Sequence, residues 1–151
     1  MAEYVYNPIQ PVEPNQNVLL EDSIPCNRGL VLHRNGSGIL TLRSLVNNPC
    51  AKFARYQVTF NGNIALPEGA TVGPIAVALA IGGEAIQTSR AIVTPAAVDQ
   101  YFNVTSTAII DVPVGCCSTV AVENASQPAA AGGTAPEINV QNANLVVSRL
   151  A

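Results

Sequence analysis

The sequence is poor in the residues from which nucleic-acid surfaces and most active sites are built. Charged residues make up 11% of the 151 positions, against about a quarter in an ordinary domain. Five of the seven lysines and arginines lie between 28 and 55, and we favour a solvated strand face over a weak basic patch for them. No basic stripe forms, so no nucleic-acid partner is expected. A chain with so little charge is expected to hide surface in an oligomer.

Long apolar runs and a leader pattern are missing as well. No run approaches the roughly 20 apolar residues that span a bilayer, so we expect no membrane insertion. The N-terminus has no basic segment followed by an apolar one, which predicts synthesis in the cytoplasm without a signal peptide. The Asn-x-Ser/Thr matches at Asn35, Asn103 and Asn124 are therefore interpreted as chance.

The sequence offers no catalytic or metal-binding constellation. The cysteines are Cys26, Cys50, Cys116 and Cys117, and their spacing is not that of a structural zinc site. We favour buried free thiols, with a Cys26–Cys50 disulfide as the alternative in an oxidising environment. His33 has no nucleophile or carboxylate at a motif spacing, which favours a polar strand residue over a catalytic base. We predict no enzyme, no cofactor and no metal, and disfavour a calcium site made of isolated carboxylates.

What the sequence does contain is a series of short strand patterns, two of them in the stretch Arg55 to Ile81. Tyr56, Val58 and Phe60 alternate with polar residues, as in a strand with one buried face. The run Ile75 to Ile81 alternates large apolar residues with alanines, so it is apolar on both faces. A small β domain rarely covers both faces of a strand by itself. We therefore expect neighbouring subunits to cover this one.

Turn residues divide the chain about every ten positions. Such signals occur at residues 34–38, Pro67-Glu68-Gly69 and Gly82-Gly83, and Asn61-Gly62-Asn63 indicates either a hairpin or a bulge. No segment has an amphipathic helical repeat. The pattern predicts an all-β antiparallel sandwich or barrel of about eight to ten strands. The lack of tryptophan disfavours an immunoglobulin sandwich, and a jelly roll fits better.

The N-terminal 17 residues form a separate region in this prediction. Pro8, Pro11 and Pro14 favour an extended arm over residues 1–17, with the jelly-roll domain over 18–151. Two roles stay open, a poorly ordered leader, which we favour, and an arm that lies on a partner surface. The anchors of such an arm would be Tyr4, Val5, Tyr6 and Ile9.

Three segments carry a resemblance to a known family: YQVTFNGNIALPEGATVGPIAVALAIGGEAI, YFNVTSTAIIDVP and the closing NANLVVSRLA. Over residues 30–151 the chain resembles tumour necrosis factor-like and complement-globular-head jelly rolls. Relatives of this kind occur in prophage proteins of gut Firmicutes and as C-terminal domains of collagen-like spore-surface proteins, although no G-x-y tract is present here. The resemblance implies a ten-stranded jelly roll that assembles as a homotrimer with a structural or adhesive role.

Residues and resemblance together predict a non-enzymatic structural protein of a phage particle. It would be a trimeric capsid decoration or head fibre in the virion, anchored to capsid or tail proteins by the arm. The alternative is a trimeric lectin-like or receptor-like module on a cell or spore surface, binding a host-surface glycan through loops such as 124–136. Candidates for the trimer interface or the core are Tyr56, Phe60, Ile75, Val77, Leu79, Ile81, Tyr101 and Phe102.

Overall fold

The predicted strands form two packed antiparallel sheets. The computed structural model describes residues 1–115 and 117–151. Its strands are β1 (Ala2–Tyr6), β2 (Gln10–Val12), β3 (Glu21–Ile24), β4 (Val31–His33), β5 (Leu40–Arg43), β6 (Phe53–Ala65), β7 (Ile75–Ile81), β8 (Glu84–Ala85), β9 (Ala91–Val93), β10 (Phe102–Pro113), β11 (Cys117–Asn124) and β12 (Ile138–Arg149). A single 3₁₀ turn, Gln87–Ser89, lies between β8 and β9. The described residues include no helix that is long and apolar enough to cross a membrane.

Each sheet draws its strands from both halves of the chain. Sheet A has the order β10-β6-β12-β1-β3, and β2 also pairs with β12. Sheet B has the order β4-β5-β11-β7-β8, and β9 also pairs with β7. All of the pairings are antiparallel. This arrangement confirms the predicted jelly-roll sandwich.

The core lies between the two sheets and follows the predicted alternation. Tyr56, Val58 and Phe60 of β6 are fully buried, as are Ile75, Val77 and Leu79 of β7. The Tyr56 hydroxyl is satisfied by donating to the Arg43 carbonyl at 2.5 Å. Sequence periodicity therefore identified the inward faces of both strands correctly.

One predicted turn lies inside a strand. Asn61 and Asn63 pair with β10 and β12 within β6, so the hairpin expected at Asn61-Gly62-Asn63 is wrong. The alternative of a bulge agrees with the β12–β6 register, which shifts between Gln141 and Asn144, opposite these residues. Glycine is needed there for space, since a Cβ on Gly62 would lie 2.8 Å from Cζ of Phe60. The turn expected at Gly82-Gly83 is confirmed, with positive φ values of 60° and 88° at the two glycines.

The N-terminal segment belongs to the sandwich. β1 pairs with β12 from Ala2↔Val147 to Tyr6↔Ala143, and β2 pairs with the start of β12. Ala2 and Tyr4 are buried in the core. The prediction of a separate arm over residues 1–17 is therefore wrong, because its pairing partner lies at the far end of the chain.

The outer face of β7 is covered by the chain itself. Ala76, Ala78 and Ala80 are 1%, 0% and 1% exposed in the single chain. Arg90 precedes β9 on one side of β7, yet its Nη2 donates at 3.1 Å to the carbonyl of Ala125, whose own N–H donates to Ala76 on the other side. The arginine thus crosses β7 over its small residues, since alternating residues share a face.

The prediction that neighbouring subunits cover β7 is therefore wrong for Ile75–Ala80. Small side chains on the outer face leave room for the stem of an arginine from the same chain, which apolar surface can accept while the charged head reaches a polar partner. The double apolar pattern of β7 is therefore explained within one subunit.

Cys26, Cys50 and Cys117 have thiols that are not joined in disulfides in the described part of the chain. Cys26 is half-buried, while Cys50 and Cys117 are exposed, so burial was the wrong prediction for the latter two. The Cys26–Cys50 disulfide does not form here. Cys116 lies outside the described residues.

Candidate functional site: the polar face of sheet A

The strand registers bring together a continuous array of mostly polar side chains on the outer face of sheet A. We call it the polar face. Its rows run from β10 across β6 and β12 to β1, and every member is exposed or half-buried. The members are Asn103, Thr105, Thr107, Ile109 and Asp111 of β10; Arg55, Gln57, Thr59, Asn61 and Asn63 of β6; Asn144, Val146 and Ser148 of β12; and Glu3 and Val5 of β1.

Amides and hydroxyls pair across the strands at one end of the polar face. The Asn103 amide donates to Oδ1 of Asn61 at 2.9 Å and to Oδ1 of Asn63 at 3.2 Å. Thr105 donates to the same Asn61 oxygen at 3.2 Å, and the Thr59 and Thr107 hydroxyls lie 3.1 Å apart. These bonds fix the side chains before any partner arrives.

The charges on the polar face are few and mostly neutralised. Arg55 donates to both carboxylate oxygens of Asp111, at 2.7 and 2.8 Å. The hydrogen bond from Arg55 holds the pKa of Asp111 below its ordinary value, and the same bond raises the pKa of Arg55. Glu3 accepts from the amide of Asn144 at 2.5 Å.

Apolar contact area is also available on the polar face. Ile109 is 61% exposed on the edge strand β10, opposite Gln57 of β6, and Phe53 is 39% exposed beside Pro113. Within the part of the chain that the structure describes, no three His, Cys, Asp or Glu side chains come close enough to hold a metal. The face offers hydrogen-bonding groups and one apolar anchor. It is therefore suited to binding another surface.

The residues proposed from the sequence for the trimer interface or the core divide into two groups. Those buried in the core of one chain are Tyr56, Phe60, Ile75, Val77 and Leu79. Ile81 and Tyr101 are half-buried, and Phe102 is 39% exposed. The first five therefore have core positions within one subunit, because a side chain without accessible surface cannot contact a neighbour.

The proposed arm anchors also differ in whether they are buried or exposed. Tyr4 is buried, and Tyr6 packs against the core. Val5 lies on the polar face, opposite Asn144 of β12. Ile9 is 51% exposed. Tyr4 cannot anchor an arm to a partner, since its ring is enclosed by its own chain.

His33 lies in a cluster that the sequence did not reveal. Nδ1 of His33 lies 2.6 Å from Oδ1 of Asp22, and Nε2 lies 2.8 Å from the carbonyl oxygen of Ser37. Its ring centre is 4.7 Å from that of Tyr4. Burial, followed by the charge of Asp22, raises the pKa of Tyr4 to about 12.

The surroundings of His33 indicate a structural role. Both ring nitrogens face oxygen acceptors, an arrangement satisfied when each nitrogen carries a proton. The contacts join β3 and β4, the strands at the matching edges of the two sheets. Asp22 is 11 residues away, a spacing that no motif would have pointed out.

The two antiparallel sheets form a jelly roll, and solved structures are similar to it in fold. The globular domain of zebrafish complement 1qA is 14% identical, with a TM-score of 0.56 over 97% of this chain and 96% of that one. Murine APRIL is 12% identical, with a TM-score of 0.54 over 93% of this chain and 98% of that one.

These likenesses establish the fold alone. The C-terminal domain of EclA, a sugar-binding protein, is 16% identical, with a TM-score of 0.42 over 95% of this chain and 79% of that one. That similarity is too low to support an argument. No protein-family model matches the sequence, and neither does any curated protein.

Proposed function

We propose that the protein is a non-enzymatic assembly module in which three copies meet through the polar face and form a structural or adhesive unit. The observation that carries this proposal is the composition of the face, where paired amides and hydroxyls lie beside the exposed Ile109 of the edge strand β10. Groups already bonded to one another lose less on leaving water than unpaired charges do. An exposed apolar residue beside such groups gives a partner surface an apolar contact.

Other features support the same proposal. Only 11% of the residues are charged. On the polar face, the charges of Arg55 and Asp111 neutralise each other. Its sequence resembles jelly rolls for which a trimer is expected, and the fold agrees with that resemblance. A second copy of this chain is therefore the occupant that we propose for the polar face.

The test is the mass of the particle in solution. We expect light scattering on a sizing column to give three times the chain mass of 15.7 kDa at micromolar concentration. Ile109→Lys should convert the trimer to a folded monomer, because each interface would bury an unpaired charge. Ile92→Lys is the matched control, since Ile92 is 55% exposed on β9 of the other sheet. A monomeric wild type, or an Ile109→Lys trimer, would refute the proposal.

The finer form of the proposal places the trimer on a phage particle as a capsid decoration or head fibre. The sequence resemblance to prophage-encoded proteins supports it. Attachment cannot use a free N-terminal arm, because β1 is paired within sheet A, so another surface must contact capsid or tail proteins. Co-sedimentation of the full chain with purified particles tests this role. Display on a cell or spore surface is the alternative if the chain stays in the supernatant.

A further inference from the structure

We infer that one end of the sandwich holds a binding site for a ligand with a carboxylate or phosphate group, formed by Arg28 and Arg149. Two clefts of about 420 and 340 Å³ open there, and Arg28, Leu30 and Arg149 line both of them. The smaller cleft is completed by Leu45 and Asn47. The arginines come from the loop before β4 and from the end of β12, so the fold brings together residues far apart in sequence.

The two guanidinium groups have donors to spare. The Arg28 side chain is exposed, with no hydrogen bond or ion pair to any of residues 1–115 and 117–151. Arg149 uses Nε to donate to the Ala151 carbonyl at 3.2 Å, and its guanidinium carbon lies 5.9 Å from the centre of the Tyr56 ring. A planar guanidinium presents its remaining N–H groups in the fork that matches a carboxylate or phosphate.

The charge around the clefts is unbalanced. No aspartate or glutamate is among the described residues that line them. The larger cleft is also lined by Met1 and Ala151 at the two chain ends, whereas the smaller one has no terminal group. In a chain of net charge −3, this is a local excess of positive charge.

The loop that carries Arg28 also includes Cys26, which lines the larger cleft. Burial raises the pKa of the Cys26 thiol, but hydrogen bonds from the backbone amides of Arg28, Val31 and Leu30 outweigh it and lower that pKa overall. The same loop is held by Arg43, whose Nη1 donates to the Gly29 carbonyl at 3.2 Å.

The shape of the clefts restricts the ligand further. Leu30 and Leu45 give the smaller cleft an apolar wall beside the arginines, so a ring or carbon chain attached to the anionic group has a surface to contact. A sugar acid and a sugar phosphate share this chemistry. The inference rests on the adhesive form of the proposed function but does not require the trimer, so light scattering and ligand titration can fail independently.

Titration of the full chain with three hexoses tests the site. Glucuronate and glucose 6-phosphate carry the two anionic groups, and glucose is the neutral control. We expect saturable shifts of the Arg28 and Arg149 side-chain signals in NMR spectra with one or both anions, and none with glucose. Which anion binds more tightly identifies the source of the ligand group. Equal binding of all three, or no binding of either anion, would overturn the inference.

Variants show whether the arginines are responsible. Arg28→Ala should weaken binding at least about tenfold, the usual effect of losing a charge-assisted contact, and it should fold normally because the side chain has no partner. Arg149→Lys keeps the charge but loses the fork, and should also weaken binding. Arg34→Ala is the matched control, since Arg34 is exposed in the turn at the other end of β4. Unchanged affinity in Arg28→Ala, or an equal loss in Arg34→Ala, would refute the site.

Discussion

The sequences of β7 and β6 indicate that the outer face of β7 contacts another subunit. The structure shows the reverse, because the outer face of β7 is closed and that of β6 is open. β7 is apolar on both faces, which predicts an interface, yet its alanines have almost no accessible surface within one chain and Arg90 of the same chain crosses the strand. β6 alternates in the ordinary manner, and its outward residues form the centre of an open face paired to β10 and β12. The alanine face is thus closed, and the polar face is available.

The difference shows that the size of side chains on a face matters as much as their polarity. Alanine on alternate positions of β7 leaves a groove that a long side chain from a neighbouring strand can fill. Asparagine and threonine on β6 and β10 instead bond to one another across the strands. They leave no groove for their own chain, and the flat surface that results can accept only a separate molecule.

The largest effect on stability is expected from enlarging an alanine on the closed outer face of β7. Ala78→Leu should lower the free energy of unfolding by about 1–3 kcal/mol, because added methylenes overpack a site with no accessible surface. Thermal unfolding would show it as a fall of about 2–4 °C in Tm for each kcal/mol. The oligomeric state should not change.

Thr107→Leu on the polar face is the matched control for this substitution. Thr107 is exposed, so its replacement should alter stability by no more than about 0.5 kcal/mol. If Ala78→Leu were as stable as the wild type and instead changed the oligomeric state, β7 would be an interface after all. The comparison between the two faces would then be reversed.

Much of this fold follows from local periodicity. The alternation in Tyr56, Val58 and Phe60 correctly predicted the inward face of β6, and the Gly82-Gly83 turn followed from the positive φ that glycine allows. Short-range patterns of this kind depend only on neighbours along the strand. The order of residues along the chain is therefore enough to predict them.

What the sequence could not predict depends on contacts between distant segments. The pairing of Ala2 with Val147 makes residues 2–6 a strand, although the prolines that follow them at Pro8, Pro11 and Pro14 favour an arm. Gly62 resembles a turn residue, but its role is to make room for the Phe60 ring. The polar residues that alternate with Tyr56, Val58 and Phe60 in β6 were recognised as outward, whereas the register that joins Asn103 to Asn61 required the sheet.

A smaller effect on stability is expected from replacing Glu123, a carboxyl group on the closed face of β7. Glu123 lies opposite Ala78 and is 6% exposed, and burial raises its pKa above the ordinary value of 4.5. Below pH 4.5 the Glu123 carboxyl is protonated in both the folded and the unfolded chain, so its burial does not make stability depend on pH. As the pH rises through the raised folded pKa, the unfolded chain ionises more readily, so stability falls.

Glu123→Gln should remove this pH dependence. We expect a Tm a few degrees above that of the wild type at neutral pH, and a similar Tm near pH 4, both measured by thermal unfolding. Glu68→Gln is the control, because Glu68 is exposed and its replacement should leave the pH profile unchanged. A neutral-pH Tm lower than the wild type would mean that the carboxylate has a stabilising role on the closed face.

The smallest effect on stability is expected from replacing Asp111, a carboxyl group on the polar face. The pKa of Asp111 lies below its ordinary value of 3.8 because Arg55 donates to it, so the pair stabilises the protein above that pH and is lost as the pH falls through the folded pKa. Asp111→Asn should change Tm at pH 7 by no more than an ordinary surface substitution, and less in about 1 M salt. The two proteins should converge below pH 3.8. A loss as large as that of Ala78→Leu would show that the polar face is part of the folded core of each subunit, because only a desolvated ion pair has so large an effect.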